Sequence, residues 1–404
     1  MNTACHEAAN TLKIPFIITS SGTSGDGTTA PYINNSPINM DNPTTEDETL
    51  SERLYNNWIK PIRFLIKLRK FLFEKRAKLK SLGIDPVFPA DLRYKDCVKI
   101  FNSAWGFEFG RPLGPLIELV GPIVPKKSTR KLTPDIEEFL HTHERVAYIA
   151  FGQHAIVNKS DITLILTGLI EAHETKELDG IIWATRGIEE RLFPEVIVSQ
   201  NNVTYNIHSF FKNSNTGSIK FINWAPQLAI LSHTSTRVFV SHGGTGSIQE
   251  AYFGGVRLIV YPFFADQIPN AITVEKFGTG RRLDYRSTQD EATKLIKSVI
   301  KDDLGQFQKN VDKFKALTQI KSKHGSIRGA DITEEVLFMH ENGLLPHRLD
   351  VKLRMSWIKA NNLDIYAVVA GGFTGFLLFI SYLVCTLFKL IIKTIKAQKK
   401  LKTF

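Results

Sequence analysis

The amino-acid sequence predicts an α/β protein with a parallel sheet, followed by one transmembrane helix near its C-terminus. Between Phe221 and Asn270, short β-branched runs alternate with glycine turns and helix-compatible segments, which is typical of a βαβ unit. Residues 365–388 are twenty-four consecutive residues without a charge, which exceeds the roughly 20 needed to cross a bilayer. A buried core helix is the alternative for this run, although such helices are normally shorter and less uniformly apolar.

The N-terminal part of the chain carries fewer signals. Its first residues favour a helix from Ala4 to Leu12 and a strand from Ile14 to Thr19, and a polar loop follows to about Asp47. Residues 58–80 contain nine Lys or Arg and one Glu among apolar side chains, which predicts an amphipathic helix broken near Pro61. Two interpretations of this helix stay open: a solvated helix packed on its domain, or a helix that contacts anionic lipid headgroups.

From about Leu132 the chain has the pattern of one complete α/β domain. Apolar runs and helix signals alternate there at the spacing of crossover units. The predicted strands of this domain are Arg145–Gly152, Gly180–Thr185, Ile219–Ile222, Arg237–Ser241 and Val256–Tyr261, and its predicted helices are Lys159–His173, Ser247–Phe253, Thr288–Ile300 and Ile332–Glu341. One more strand, Asp96–Ile100, is predicted before the domain.

The turn that follows the strand at residues 237–241 is the chemical centre of the sequence. His242-Gly243-Gly244 ends the strand, and the small residues 245–247 can cap the next helix. Because a helix start exposes unpaired N–H groups and the positive end of the dipole, it suits a phosphate. A Gly-Gly turn after a strand is, however, often only a turn.

Three further positions favour a nucleotide sugar as the anion. The indole of Trp224 can stack on a flat base. Glu250, eight residues after His242, can accept hydrogen bonds from both hydroxyls of a ribose. The pair Asp266-Gln267 offers acceptors and donors for sugar hydroxyls.

Together these residues resemble the signature of the UDP-dependent glycosyltransferases, the family of plant UDP-glucosyltransferases and animal UDP-glucuronosyltransferases. The positions that match in order and spacing are Trp224, Pro226, Gln227, His242, Gly244, Ser247, Glu250, Gly254, Pro262, Asp266, Gln267 and Asn270. The resemblance implies a donor site in which uracil lies at Trp224 and Gln227, the diphosphate at His242 and Ser247, the ribose at Glu250, and the sugar at Asp266 and Gln267. Gly244 is also counted among the donor-binding residues.

Three positions depart from the family pattern. Gly246 stands where the family has Asn, which removes one phosphate contact that backbone N–H groups can replace. Arg257 stands where Pro is common, and Gln153 replaces a Ser after Gly152.

The resemblance further implies two facing Rossmann-like domains of the GT-B type, with the N-terminal one incomplete. The expected division is a partial acceptor domain and linker at residues 1–125, a UDP-sugar domain at 126–345, a juxtamembrane segment at 346–364, the span at 365–388 and a basic tail at 389–404. The implied reaction transfers a hexose from UDP to a hydroxyl of a lipophilic acceptor, with inversion and without a metal. No Asp-x-Asp metal motif is present.

The general base of the family lies in a part that would precede Met1, so no catalytic residue is named. A base within reach of the attacking hydroxyl typically contributes 10²- to 10⁴-fold. His6 is the nearest substitute, but a lone His on a helix is usually a surface or core residue. Two functional hypotheses therefore remain: a glycosyltransferase whose start is missing, or an inactive donor-binding membrane subunit that needs a partner chain.

Charge and composition point to a membrane rather than to nucleic acid. The formal net charge of +11 is concentrated in residues 58–80 and in six lysines between Lys389 and Lys402, beside apolar sequence. The three cysteines are too few for a disulfide framework or a thiolate metal site, and no cofactor is expected apart from the UDP-sugar substrate. A homo-oligomer is compatible with this pattern.

The basic tail predicts a single-pass protein with its tail in the cytosol and its body in the lumen. The lysines near the C-terminus resemble a retrieval signal of the endoplasmic reticulum, whereas the polar N-terminus shows no signal peptide. A tail-anchored protein with a cytosolic body is the alternative topology.

Overall fold

The computed structural model describes residues 3–20, 45, 48–84, 96–108, 110, 113–125, 130–212, 217–349, 351 and 355–401. It divides the chain into two compact units, Met1–Pro346 and His347–Phe404.

The described residues form eleven strands and fourteen α-helices. The strands are β1 (Ile17–Ser20), β2 (Val98–Phe101), β3 (Ile117–Leu119), β4 (Val146–Ala150), β5 (Gly180–Ala184), β6 (Val196–Val198), β7 (Thr204–Asn206), β8 (Ile219–Ile222), β9 (Thr236–Ser241), β10 (Arg257–Val260) and β11 (Gly280–Arg282). The helices are α1 (Thr3–Leu12), α2 (Leu50–Leu54), α3 (Lys60–Ser81), α4 (Pro134–Thr142), α5 (Lys159–Glu174), α6 (Ile207–Lys212), α7 (Gln227–Leu231), α8 (Thr245–Gly254), α9 (Gln267–Lys276), α10 (Gln289–Lys301), α11 (Gln306–Lys321), α12 (Gly325–Met339), α13 (Trp357–Ala360) and α14 (Leu363–Leu401).

Six parallel strands form the main sheet in the order β11-β10-β9-β4-β5-β8. Counted along the chain, this is the order of a doubly wound nucleotide-binding fold, whose direction reverses between β4 and β9. Ligands of such sheets bind beyond the carboxyl ends of the strands at that reversal. The topology therefore places residues 151–153 and 242–247 at the edge where folds of this kind bind ligands.

Helices cover both faces of this sheet, so its central strands are largely buried. All five residues of β4 are buried. Ala147 and Ile149 contribute to one core, together with Trp183, whereas Val146 and Tyr148 contribute to the core on the opposite face. This alternation rigidly fixes the strands whose ends carry the candidate site.

A second, smaller parallel sheet, β1-β2-β3, lies in the N-terminal part of the first unit. The side chain of Gln249 on α8 joins it to the main sheet: its Nε2 donates to the carbonyl oxygen of Asn102 at 2.5 Å, and its Oε1 accepts from Asn102 Nδ2 at 3.3 Å. The predicted fold class is thus confirmed, with two α/β sheets of parallel strands and a long apolar C-terminal helix.

The helical region around Pro61 differs from the sequence prediction. Helix α3 is continuous from Lys60, with Pro61 in its first turn, and a π-helical turn at Tyr55–Ile59 precedes it. Proline is tolerated in a first turn because its missing N–H needs no partner there. The wider π turn lies where the proline ring would otherwise meet the preceding backbone, so the helix is not broken.

The second unit consists mainly of α14, whose 39 residues extend beyond the predicted span. Its stretch Leu363–Thr394 is long and apolar enough to cross a membrane, and no part of its most apolar window is buried. The helix continues through the first lysines of the tail to Leu401, because Lys is a good helix former.

Candidate functional site

A cleft of about 330 Å³ opens at the carboxyl ends of the central strands. It contains three residues that the sequence predicted for a nucleoside, Trp224, Gln227 and Glu250. The other residues that line it are Pro125, Arg130, Tyr148, Ala150, Gly152, Gln153, Ala184, Arg186, Asn223, Ala225, Pro226 and Leu228.

Two loops meet at the strand reversal, where Gly152 follows β4 and His242 follows β9. Gly152 has a φ of +72°, and a Cβ built on it would lie 3.1 Å from the Cε1 atom of His242. Glycine therefore meets two needs at this position, a left-handed backbone and room for the imidazole. The approach of these loops brings His242 to the border of the cleft.

The start of helix α8 has the features of a candidate anion site. Gly244 occupies the N-cap position and supplies no side-chain cap, and Ser247 lies in the first turn. The first N–H groups of the ten-residue helix and its dipole therefore favour a negative group at this end. A Cβ on Gly244 would lie 2.5 Å from Nε2 of His242, so only glycine lets the imidazole rest against this helix start.

A hydrogen-bonded cluster connects the helix α8 to the cleft. The Nε2 atom of Gln227 donates to Glu250 Oε2 at 2.6 Å and to Ser247 Oγ at 3.2 Å. The hydroxyl of Tyr148 lies 3.5 Å from Gln227 Oε1. Burial raises the pKa of Glu250, and the hydrogen bond from Gln227 partly opposes this shift. The Gln227 amide, a neutral donor, therefore fixes the position of the Glu250 carboxylate through its Oε2 atom.

The surroundings of the His242 imidazole favour its neutral form. Burial lowers its pKa below the ordinary value, although the Ala150 carbonyl and the Asp266 charge oppose the shift. A neutral imidazole carries a single N–H, so its donation to the Ala150 carbonyl and its donation to an anion are alternatives.

Trp224 presents its ring at the mouth of the cleft and is 43% exposed. The guanidinium carbon of Arg130 lies 4.4 Å from the centroid of the indole, within the range of a cation–π contact. The ring is therefore available as a stacking platform, and a planar cation already lies against it.

The pair Asp266-Gln267 lies on the other side of the α8 start and is not among the residues that line the cleft. Asp266 is exposed, and its Oδ2 accepts from Asn270 Nδ2 at 3.2 Å. Gln267 is only 5% exposed, and its Oε1 accepts from the N–H groups of Phe263 and Phe264 at 2.8 and 3.2 Å. Asp266 thus remains open to a ligand, whereas the amide oxygen of Gln267 holds the preceding loop.

Asn270 matched the family pattern but was not predicted to bind anything, and the structure gives it a supporting role. Its Nδ2 donates to the carbonyl of Gly243 at 2.9 Å and to Thr245 Oγ1 at 3.2 Å. It therefore fixes the turn before α8. Arg130, Tyr148 and Arg186 were also missed, and no local pattern marks them because they come from distant parts of the chain.

The doubly wound sheet with an uncapped helix start at its reversal defines the class of Rossmann-like α/β proteins. Within that class, a family model described as UDP-glucuronosyl and UDP-glucosyl transferase matches residues 7–324. The chain belongs to this family of UDP-glycosyltransferases.

Relatives of the chain come from fungi and animals. It is 28% identical over 385 residues to a UDP-glycosyltransferase of Talaromyces amestolkiae, covering 92% of this chain and 72% of the relative. It is 29% identical over 344 residues to the UDP-glycosyltransferase stmC of Aspergillus ustus, covering 80% of this chain and 63% of the relative. For UDP-glucuronosyltransferase 2B17 of Homo sapiens the identity is 23%, over 74% of this chain and 51% of the relative. The chain thus spans only part of each relative.

Among solved structures, the crystal structure of the glycotransferase of kitacinnamycin aligns with a TM-score of 0.55 and 18% identity, covering 82% of this chain and 73% of that chain. At this identity the likeness shows the fold, which is of the GT-B glycosyltransferase type.

Proposed function

We propose that the protein binds a UDP-sugar in this cleft and transfers its hexose to a hydroxyl of a lipophilic acceptor, with inversion and without a metal. The observation that carries the proposal is the juxtaposition of the uncapped α8 start with the cluster of Gln227 and Glu250, whose side chains are 2.6 Å apart. An anion site and a hydroxyl-binding carboxylate side by side suit the diphosphate and ribose of UDP.

On this proposal, uracil stacks on Trp224 and bonds to Gln227, Glu250 accepts from the ribose hydroxyls, and the diphosphate lies against the first turn of α8. Negative charge grows on the diphosphate as the bond to the sugar breaks. Preorganised N–H donors at the helix start, with the neutral His242, stabilise that charge without reorganisation. Asp266 is the exposed acceptor for sugar hydroxyls, and Gln267 contributes mainly by shaping its loop.

The proposed donor half needs no resident cofactor. The proposed domain division keeps all eight donor-binding residues within residues 126–345.

The proposal includes a single membrane span formed by α14, with the lysine-rich end in the cytosol and the catalytic body in the lumen of the endoplasmic reticulum. The length and apolar composition of Leu363–Thr394 support the span, and the lysines after Phe388 support the orientation. Such an anchor would hold the enzyme at the surface into which lipophilic acceptors partition.

A second candidate is a donor-binding subunit that is inactive alone and receives its acceptor half from a partner chain. The observation that favours it is the edge position of β1, which pairs with β2 alone among the described strands. An open strand edge can pair with a strand of another chain.

Calorimetry on the detergent-solubilised chain tests the proposed donor site. UDP should bind, and both His242→Ala and Glu250→Ala should weaken it by about tenfold or more, since a lost hydrogen bond to a charged group contributes about 1.5–3 kcal/mol. Uridine lacks the diphosphate. Its affinity should therefore fall in Glu250→Ala and stay unchanged in His242→Ala. Equal UDP affinity in the three proteins would overturn the site. If UDP binds but no hexose is transferred from a UDP-sugar to any lipophilic alcohol, the result would favour the inactive donor-binding subunit.

A further inference from the structure

Helix α3 presents an unusual surface to its surroundings. None of its 22 residues is buried, although six of them are large apolar side chains with at least 44% exposure: Ile62, Phe64, Leu65, Ile66, Phe71 and Phe73. Single exposed apolar residues are common, but a helix that exposes six marks a surface that contacts something else.

The exposed residues form stripes along α3. At about 100° per residue, Ile62, Ile66 and Phe73 fall within roughly 40° of one another. Arg63 and Lys67, with Lys70, form the adjacent stripe on one side of them. On the other side of the apolar stripe lie Arg69 and Arg76.

Burial differs little around the rest of the helix. Leu68, Leu72 and Leu79 lie about 120° from the apolar stripe and are half-buried, whereas Phe64 and Phe71, nearly opposite the stripe, are 44% and 60% exposed. Helix α3 therefore exposes apolar side chains on more than one side, and the cation-flanked stripe of Ile62, Ile66 and Phe73 is the most exposed of them. We call the outward residues Ile62, Arg63, Ile66, Lys67, Lys70 and Phe73 the α3 outer face.

We propose that the α3 outer face lies on an anionic phospholipid bilayer, with its apolar stripe in the headgroup boundary and its cations against lipid phosphates and carboxylates. Nine cations and only one acid, Glu74, occur between residues 58 and 80, so the charge is complementary to such a surface. Long Arg and Lys side chains reach water or phosphate while their stems cover apolar surface. The π-helical turn before α3 adds Trp58, which is 69% exposed, and indoles favour the membrane interface.

A bilayer fits this face better than a second copy of the chain. The net charge of +11 makes two copies repel each other, and a cation-flanked stripe on one copy would meet the same cations on the other. The chain also carries its own candidate span in α14, so a membrane is the neighbour that its sequence provides for. The lipid contact does not depend on UDP; only its consequence, delivery of a lipophilic acceptor from the bilayer, rests on the proposed function.

Hydrogen exchange on the full chain in lipid nanodiscs tests the contact. The exchange of amides 60–81 should slow by about tenfold or more in nanodiscs of phosphatidylcholine mixed with phosphatidylserine, compared with phosphatidylcholine alone, because each cation near an anionic surface contributes about 1 kcal/mol. High salt should remove the difference. Equal exchange in the two nanodiscs would overturn the proposal.

Two variants sharpen this experiment. The triple change Arg63→Gln, Lys67→Gln and Lys70→Gln should abolish the slowing, as should Ile66→Ser combined with Phe73→Ser. The matched control neutralises three exposed lysines of the α11 region, Lys309→Gln, Lys313→Gln and Lys323→Gln, and should retain the slowing.

Each variant is also checked for UDP binding and for unchanged exchange in β4, which reports intact folding. Slowing that persists in the triple variant would mean that other residues contact the anionic lipid, and would overturn the assignment to the α3 outer face while leaving the UDP site untouched. If the wild-type protein does not bind UDP, the donor proposal is overturned, whereas the conclusion about lipid contact is unaffected.

Discussion

The Nε2 atom of Gln227 lies 2.6 Å from Oε2 of Glu250, although the two residues belong to different helices, α7 and α8. This contact orients the carboxylate toward the cleft, and burial raises its pKa. The donor proposal depends on the ionised form of Glu250, because a carboxylate accepts hydrogen bonds from hydroxyls more strongly than a protonated carboxyl does and has no O–H of its own.

The first prediction concerns pH. Because the folded-state pKa of Glu250 is raised, the group takes up its proton at a higher pH than an unfolded Glu does, so uridine affinity should fall as the pH is lowered from neutrality through that raised pKa. Glu250→Gln should bind uridine more weakly at neutral pH and show no such fall. Calorimetry with uridine rather than UDP avoids the titration of phosphate. A wild-type affinity that is constant with pH would contradict the prediction.

The same raised pKa has a consequence for stability. A buried carboxyl with a raised folded-state pKa favours the folded state when it is protonated, and this contribution is lost as the pH rises through the folded-state pKa. Glu250→Gln should therefore resist unfolding better than wild type at neutral pH, with the difference shrinking in acid. Urea midpoints at several pH values measure it.

The second prediction concerns Gly246, which replaces the Asn of the family. A Cβ at this position meets no atom within 4 Å, so Gly246→Asn should be accommodated without strain. The added amide can donate to a phosphate, and we expect UDP to bind about threefold to tenfold more tightly, since a hydrogen bond contributes about 0.5–1.5 kcal/mol.

Gly244 provides the contrast within the same turn. A Cβ added at Gly244 would lie 2.5 Å from His242 Nε2. Gly244→Ala should therefore displace the imidazole and lower the affinity for UDP. Isothermal titration calorimetry measures the UDP affinity of both variants and of wild type. Weaker UDP binding by Gly246→Asn than by wild type would show that phosphate does not lie over this turn.

The third prediction concerns the stacking platform. Trp224→Ala should weaken both UDP and uridine by about fivefold to a hundredfold, because stacking of one base contributes about 1–3 kcal/mol. Trp224→Phe should retain much of the affinity. Since the exposed indole lies at the cleft mouth, nucleotide binding should also change its fluorescence, and Trp224→Phe should abolish that change. Unaltered uridine affinity in Trp224→Ala would place the base elsewhere.

The fourth prediction concerns Arg257, the residue where the family commonly has Pro. It is 8% exposed, and its Nη1 donates to the carbonyls of Val299 and Ile300 at 2.8 and 2.9 Å, which closes the C-terminus of α10. Asp302 lies 3.9 Å away as a counter-charge. Arg257→Met would leave these groups without their donor and should cost about 3 kcal/mol of stability.

UDP affinity should not change in Arg257→Met, because Arg257 closes α10 and is not among the residues of the cleft. Arg257→Lys should recover part of the loss, since an ammonium keeps the charge but spans the two carbonyls less well. Chemical denaturation measures the stability, and a variant as stable as wild type would refute the capping role.

Several elements could be predicted because their signals are local. The strand Ile219–Ile222 has the predicted bounds, and the helix that follows His242 begins at Thr245, two residues earlier than predicted. Helix α11 was missed although Phe307, Val311, Phe314 and Leu317 recur along it at helical spacing. The break predicted at Pro61 was wrong because position within a helix decides whether proline is tolerated.

The candidate site was predictable in part. Trp224, Gln227 and Glu250 lie together in the cleft, and His242 with Gly244 and Ser247 forms its border with α8. The use of the Gln267 amide oxygen within its own loop was not visible, because a side chain that completes a backbone turn has the same sequence as one that reads a sugar.

The sequence by itself determined the α/β class, the spacing of the donor signature and the candidate span, since hydrophobic periodicity, turn residues and run length are properties of neighbouring positions. Only the tertiary structure decided that Gly152 yields room to His242, that Gln227 orients Glu250, and that Arg257 closes a helix more than forty residues away. The physical reason is that these contacts follow from the order of strands in the sheet, which joins residues that no local pattern connects.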